Sequence, residues 1–331
     1  MILAIETSCD DTCAAVVTEA GEMRSNVISS QGVHDRYGGV VPEVAARHHL
    51  ALVNDVVDDA LRTADVTLDD IDLVAVTQGP GLVGALLVGV ATAKGLAAGR
   101  GLPLAPVDHL QGHVAANFLG GGGRVGGNGF EPPFLCLVAS GGHTFLARVE
   151  DHAGYTVLGR TLDDAAGEAF DKGARMLGLP YPGGPALERL AADGDPSAYD
   201  FPIAAGVAGL DFSFAGLKTA LLYKVRDLGD EAQARRADLA AAYQHAIVEA
   251  LALRVERGLR ATGLGRLAIG GGVAANGPLR ERMAGLGVEL HVPERALCTD
   301  NAAMIASAAR WVTPLRDFGD LDAYASGERG L

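Results

Sequence analysis

His109 and His113, in the run His-Leu-Gln-Gly-His, carry the sharpest chemical signal in the chain. On a helix, positions i and i+4 share a face, so both imidazoles can reach one metal ion. A zinc peptidase would place Glu directly after the first His as general base. Leu110 stands there instead, so peptidase chemistry lacks its base. A third ligand has to come from elsewhere. Asp300, read as the N-cap of a helix over residues 301–312, is the best placed carboxylate. Two His and one carboxylate leave coordination positions open for substrate, which suits iron or zinc. Taken alone, the spacing fits a packed pair of core histidines at least as well.

Glycine loops are the next candidates. Gln78-Gly-Pro-Gly-Leu-Val-Gly84 matches G-x-G-x-x-G between a strand and a helix, with Asp108 roughly where an acidic ribose ligand would follow. Pro80 stiffens that loop and the first strand lacks the fingerprint, so these glycines are read as helix-packing positions at the domain interface. Ser140-Gly-Gly142 and Gly270-Gly-Gly272 are better ligand loops, because their backbone N–H groups can meet phosphate or adenosine without side-chain obstruction. Asn276, at the start of the helix after the second loop, can hydrogen-bond a ribose or base. Asp171, ahead of Tyr181-Pro-Gly-Gly-Pro185, can hold ribose hydroxyls, and Glu188 lies on the helix after that loop. Thr161-Leu-Asp-Asp164 reads as a capping box, which puts Asp164, Glu168 and Asp171 on one helical face. His34, His48, His49 and His245 are read as surface or supporting residues. No side chain is an obvious general base; His143 is a candidate, and water could serve instead.

Positioning these groups requires alternating strands and helices. Ile2 to Val17 reads strand, small polar turn, strand, and Phe134 to Val149 repeats that plan around Gly141-Gly142, a hairpin signal. A Gly-rich, Pro-punctuated stretch from Gly120 to Pro133 precedes the second copy as a connector. Between and after the copies, strand-like runs alternate with helical ones, which supports an α/β architecture with a ligand cleft between two similar halves.

Composition narrows the class. The 331 residues suffice for two domains, and 49% apolar with 21% charged residues describes a folded chain. A net charge of −14 argues against a protein that coats nucleic acid. Local basic strips, Arg254, Arg257, Arg260 and Arg266 or Arg280 and Arg282, are candidates for RNA docking, although a solvated helix face is the better reading of each group taken alone; if RNA is the substrate, a partner protein supplies part of the surface. The four cysteines lack CxxC spacing and fit reduced cytosolic thiols. No signal-like segment precedes the strand-like opening run, which again suggests the cytoplasm. Residues 82–102 are rich in Ala, Val and Leu, but Lys94 and Arg100 interrupt or flank them, so they are read as a buried helix rather than a membrane span.

Nine ordered motifs then carry a resemblance. They are Glu6-Thr-Ser-Cys-Asp-Asp-Thr12, Gln78-Gly-Pro-Gly81, the His109/His113 pair, Ser140-Gly-Gly-His-Thr144, Gly167-Glu-Ala-Phe-Asp-Lys172, Tyr181-Pro-Gly-Gly-Pro185, Phe212-Ser-Phe-Ala-Gly-Leu-Lys218, Gly270-Gly-Gly-Val-Ala-Ala-Asn276 and Cys298-Thr-Asp-Asn301. From residue 1 to about 312 the chain resembles the tRNA N6-adenosine threonylcarbamoyltransferase family in its bacterial form. The resemblance implies a duplicated actin/hexokinase/Hsp70-like two-domain α/β fold with an interdomain nucleotide cleft, divided here into residues 1–130 plus 301–331 and residues 131–300. It implies transfer of a threonylcarbamoyl group from threonylcarbamoyl adenylate to N6 of adenosine 37, in tRNAs reading codons that begin with A. It assigns the metal ligands to His109, His113 and Asp300, holding one divalent ion, iron(II), with zinc or magnesium as alternatives. It assigns the adenylate to Val138, Ala139, Ser140, Gly141, Gly142, Asp171, Gly184 and Asn276, and to Glu188 where an Asp is common. It also implies an inactive paralogous subunit and a small ATPase subunit as partners, with no membrane involved. A kinase of the same superfold and a non-catalytic nucleotide-holding scaffold are the competing readings, and the His pair is unexpected in either.

Overall fold

The structure is a computed structural model that describes residues 1–120 and 130–325. The Gly-rich tract 120–129, to which the sequence assigns no function, lies outside the described residues from position 121 on. The chain divides into two compact units: Met1–Pro132 with Asp151–Gly154 and Thr299–Leu331, and Pro133–Glu150 with Tyr155–Cys298. Asp300 therefore belongs to the first unit, whereas the sequence boundary leaves it in the second.

The first unit is built on a sheet of β1 (Ile2–Glu6), β2 (Asp11–Val17), β3 (Met23–Ser30), β4 (Leu73–Gly79) and β5 (Leu104–Asp108), in the order β3-β2-β1-β4-β5. Strand β1 pairs antiparallel with β2 and parallel with β4, which pairs parallel with β5. A strand at the centre of such a sheet has no solvent face, and all of β1 is buried. Helices α1 (Pro42–Thr63) and α2 (Val83–Arg100) pack against each other and on the sheet, and α3 (His109–Ala115) follows β5 directly. Among the described residues α2 is long and apolar enough to cross a membrane by length and composition. In the fold it lies on α1 and β4, with Leu86, Val90 and Ala97 in the core.

The second unit repeats the plan. Its sheet of β6 (Phe134–Ala139), β7 (Thr144–Val149), β8 (Tyr155–Arg160), β9 (Arg266–Gly270) and β10 (Glu289–His291) runs β10-β9-β6-β7-β8. Each β6 relation copies one of β1: antiparallel to the next strand, parallel to the strand that arrives after the helices. The registers match as well, with Ile2 opposite Val17 and Phe134 opposite Val149 at the open ends. Counted inward from those ends, Glu6 corresponds to Val138 and Ser8 to Ser140. Helices α4 (Ala166–Met176), α5 (Gly183–Ala191), α6 (Ala215–Leu228), α7 (Arg236–Thr262) and α8 (Gly277–Ala284) complete the unit. Phe170, Leu187, Tyr243, Ile247 and Leu251 are among the side chains of its core.

The chain then returns to the first unit with α9 (Ala302–Ala309), whose eight residues are all buried. It packs on β1, β2 and α3. Period-two alternation puts Leu3 and Ile5 in the core shared with α1 and α2, and turns Ala4 and Glu6 to the other face. Small residues on α9 permit close approach there, and Gly112 matters most. A Cβ at Gly112 would sit 2.8 Å from Ile305 Cδ1 and 3.2 Å from Met304 Cγ. The missing side chain lets α9 settle onto the very turn that separates the two histidines, and Ser307 Oγ donates to the Ala115 carbonyl at 2.8 Å.

Candidate functional site

Close packing of α3 and α9 brings together the three predicted metal-ligating side chains. One ligand atom from each of His109, His113 and Asp300 lies within 4.8 Å of the others. Asp300 Oδ1 is 3.5 Å from His109 Nε2 and 3.3 Å from His113 Nε2. The rings meet edge to face with centroids 4.8 Å apart. His113 is completely buried, yet neither of its ring nitrogens makes a hydrogen bond with acceptable geometry. A desolvated imidazole without a partner is costly. A cation between the three side chains would complete it, and a two-nitrogen, one-oxygen donor set suits a first-row divalent ion. Burial opposes a charge on His109, but Asp300 and Glu6 outweigh it and push this imidazole up to about 9. The cluster is therefore an electronegative pocket built to hold positive charge.

Caps at both helix starts explain why the ligands are available. Asp300 is not the N-cap expected for it: Asn301 caps α9, accepting from the Met304 N–H at 2.9 Å. That leaves the Asp300 carboxylate to face the histidines. Asp108 is likewise no ribose ligand. Its Oδ1 caps α3 through the Leu110 and Gln111 amides, and its Oδ2 accepts from the Tyr324 hydroxyl at 2.5 Å. The glycines of the 78–84 loop serve packing, but within the first unit rather than at a domain interface. A Cβ at Gly79 would strike Tyr324, and one at Gly81 would strike Ser8.

Sequence reasoning missed the groups behind His109. Glu6 Oε2 lies 3.0 Å from His109 Nδ1, and Ser8 Oγ lies 3.2 Å from the same nitrogen. Thr77 Oγ1 donates to Glu6 Oε2 at 2.5 Å, and the Ser8 backbone N–H donates to Glu6 Oε1. A carboxylate closing an otherwise apolar five-residue strand was the available signal, because a buried charge requires partners. His34 and His49 are buried, not superficial: His49 bonds Thr12 Oγ1 and the Cys9 carbonyl, and His34 bonds Gln31.

In the second unit the predicted adenylate residues gather at the carboxyl ends of the parallel strands β6 and β9, where ligands of open α/β sheets bind. Val138 and Ala139 end β6, and the turn Ser140–His143 is closed by the Ser140 N–H to the His143 carbonyl at 2.8 Å. Gly141 and Gly142 have neither left-handed backbone nor any atom within 4 Å of an added Cβ. Their bareness serves nothing inside the protein and leaves an approach open from outside. Gly167, by contrast, is needed for packing, since its Cβ would lie 2.6 Å from the Ser140 carbonyl oxygen. One turn further along α4, Asp171 accepts from the Gly183 N–H at the head of α5, beside Gly184. Glu188 on α5 accepts from Gly277 N–H and from Asn276 Nδ2, which also donates to Gln244 Oε1 at 2.9 Å. Asn276 Oδ1 caps α8. Gln244, unpredicted, thus shares with Glu188 the task of orienting Asn276.

Two further expectations are corrected. Arg254, expected on a basic strip, is 1% exposed and grips the carbonyls of Asp211 and Ala204 at 2.6 Å. Arg280 and Arg282 are also engaged, with the Ala274 carbonyl and with Glu249 and Glu256. Thr161 and Asp164 form no capping box: Glu168 reaches back to the Ala165 N–H, while Asp164 binds Lys172 and Lys218, each at 2.9 Å.

A family model described as tRNA N6-adenosine threonylcarbamoyltransferase matches residues 22–307. A relative so named from Symbiobacterium thermophilum is 50% identical over 340 residues, covering 100% of this chain and 97% of its own. Another from Moorella thermoacetica is 51% identical, covering 98% of this chain and 95% of its own. Among solved structures, HypF from T. kodakarensis superposes with a TM-score of 0.61 at 14% identity, over 93% of this chain and 47% of that one. Component A of (R)-2-hydroxyglutaryl-CoA dehydratase from Acidaminococcus fermentans superposes with a TM-score of 0.54 at 14% identity, over 94% and 95%. These structures show the duplicated actin/hexokinase/Hsp70-like fold. The extent and identity of the sequence matches show the rest: this chain belongs to the tRNA N6-adenosine threonylcarbamoyltransferase family, transferases that modify tRNA.

Proposed function

We propose that the protein transfers the threonylcarbamoyl group of threonylcarbamoyl adenylate to N6 of adenosine 37, in tRNAs that read codons beginning with A. The observation that carries the metal-assisted form of this reading is the His109, His113 and Asp300 cluster, in which the buried His113 ring has no hydrogen bond among the described residues and only the Asp300 carboxylate, 3.3 Å from its Nε2, to meet. These three side chains would hold one divalent ion, iron(II), and the chemistry it would supply to the transfer is Lewis acidity. The adenylate rests on the strand end Val138–Gly142, with Asp171 and Gly184 at the ribose and Asn276, braced by Glu188, at the far side. The N6 lone pair attacks the carbamoyl carbon and the C–O bond to the phosphate breaks. AMP leaves with that electron pair, and the N6 proton passes to water. The Gly141 and Gly142 N–H groups stabilise the negative charge that develops, an effect of about 3–4 kcal/mol per donor where it has been tested.

An inactive paralogous subunit and a small ATPase subunit complete the assembly, in keeping with arginines that are committed to internal contacts. The reaction takes place in the cytoplasm, in keeping with four free cysteines. The test incubates the chain with tRNA, threonylcarbamoyl adenylate and the two partners, then identifies nucleosides by mass spectrometry. Threonylcarbamoyladenosine should appear at position 37 and vanish in the His109→Ala/His113→Ala variant. Full modification by that variant, or none by the complete wild-type assembly, would sink the reading. Metal analysis of the protein purified without oxygen discriminates iron from zinc or magnesium.

A further inference from the structure

We propose that Glu6 is a positioning residue of the metal centre, fixing His109 in the tautomer that carries its proton on Nδ1 and aims the Nε2 lone pair at the ion. This inference rests on the metal reading above. Its basis is an asymmetry between the two imidazoles. His109 Nδ1 faces Glu6 Oε2 at 3.0 Å, on the side away from Asp300, while its Nε2 faces Asp300. His113 has no such support at Nδ1 among the described residues.

Glu6 itself cannot swing away. It is fully buried, and both oxygens are held: Oε1 by the Ser8 backbone N–H, Oε2 by the Thr77 hydroxyl at 2.5 Å. Those donors require an acceptor on the Glu6 side, so the remaining proton of the Glu6–His109 contact belongs to Nδ1. Metal-bound histidines are commonly braced in this way, and the brace sets both ring orientation and ligand basicity. Three adjacent parallel strands contribute: β1 brings Glu6, β4 brings Thr77, and β5 leads into the helix that bears His109. Ser8 Oγ, 3.2 Å from the same nitrogen, is a second and weaker acceptor.

The isosteric substitution Glu6→Gln separates this role from mere filling of space. Its amide nitrogen must face either the Ser8 N–H, the Thr77 hydroxyl or the Nδ1 proton, so one donor always meets another. The experiment uses the full chain as wild type, E6Q and H113A, with Zn2+ and Co2+ binding measured by competition against a chromophoric chelator. The Co2+ absorption bands and the metal-free melting temperature are recorded alongside. Wild type should bind one ion and H113A should lose it. E6Q should bind roughly 10- to 100-fold more weakly, with displaced Co2+ bands and a metal-free melt that stays cooperative though lowered by the buried donor clash. Should wild type bind no ion, or H113A bind like wild type, the metal reading itself fails. If those two behave as expected but E6Q matches wild type within about twofold, with unchanged bands, only the role of Glu6 is refuted. Ring 15N spectra of zinc-loaded wild type decide the matter even if E6Q does not fold: a proton on His109 Nδ1 supports the assignment, and one on Nε2 overturns it.

Discussion

At the carboxyl end of its central strand the first unit places Glu6, followed by Ser8, and at the end of the neighbouring parallel strand Thr77. At the matching positions of the second unit stand Val138, Ser140 and, on β9, the glycine that ends the strand. The topology is the same, yet one set of strand ends works through side chains and the other through bare backbone. On the function proposed above, the difference lies in what each holds. A cation needs carboxylate and imidazole groups, and the first unit supplies them from helix starts beside its strand ends, with His109 braced from behind by Glu6. A nucleotide needs N–H donors and room, so the second unit leaves Gly141 and Gly142 uncovered. Substitution should therefore act on the two units in opposite ways: the first suffers when side chains are removed, the second when they are added.

The sharpest break in that contrast would come from His113→Ala. Metal content should fall to background and transferase activity by more than the roughly 100-fold that an outer brace is worth. Adenylate affinity measured by calorimetry should fall far less than activity, because the backbone donors of the second unit are untouched. Next, Gly141→Val should weaken adenylate binding by about tenfold or more, as loss of a charge-directed backbone contact would. Its melting temperature should barely move, since the new Cβ meets no protein atom within 4 Å. Asn276→Ala removes the cap of α8 and strands Glu188 and Gln244, costing about 1–2 kcal/mol in urea denaturation as well as adenylate affinity. The smallest effect concerns Asp164. Burial alone would raise its carboxyl, but Lys218 and Lys172 outweigh burial and hold it below the ordinary range. Its contribution to stability is complete above the unfolded value of about 3.9 and is lost as pH falls through the lower folded one. Asp164→Asn should cost under about 1 kcal/mol at neutral pH and should flatten the acid limb of the stability profile. An acid limb as steep as that of wild type would show that Asp164 does not shape it.

Legibility in the sequence followed the range of the interactions. The His109/His113 pair is local, so helical spacing reveals it, and the two hairpins are local as well. Asp300 was found as a carboxylate at a helix start, but its cap role was misassigned because Asp and Asn301 are equally good caps and only the backbone geometry chooses between them. The packing role of the 78–84 glycines is legible because Pro80 spoils the nucleotide fingerprint, but their partners Tyr324 and Ser8 are distant in sequence, so the sequence does not tell an interface from packing within one unit. The bracing of His109 by Glu6 joins residues on different strands, and no periodicity reports it. The arginines of α7 read as a solvated face or an RNA strip because sequence shows a cation without showing the carbonyls that claim it.

Gly112 gives the metal cluster a property that none of its ligands possesses alone. The candidate ligands come from α3 and from just ahead of α9, and the hydrogen-only residue between the imidazoles leaves room there for the Ile305 and Met304 side chains. A side chain at 112 would make those two turn aside or α9 yield, so the fit of the three groups to an ion could be tuned from a position that coordinates nothing.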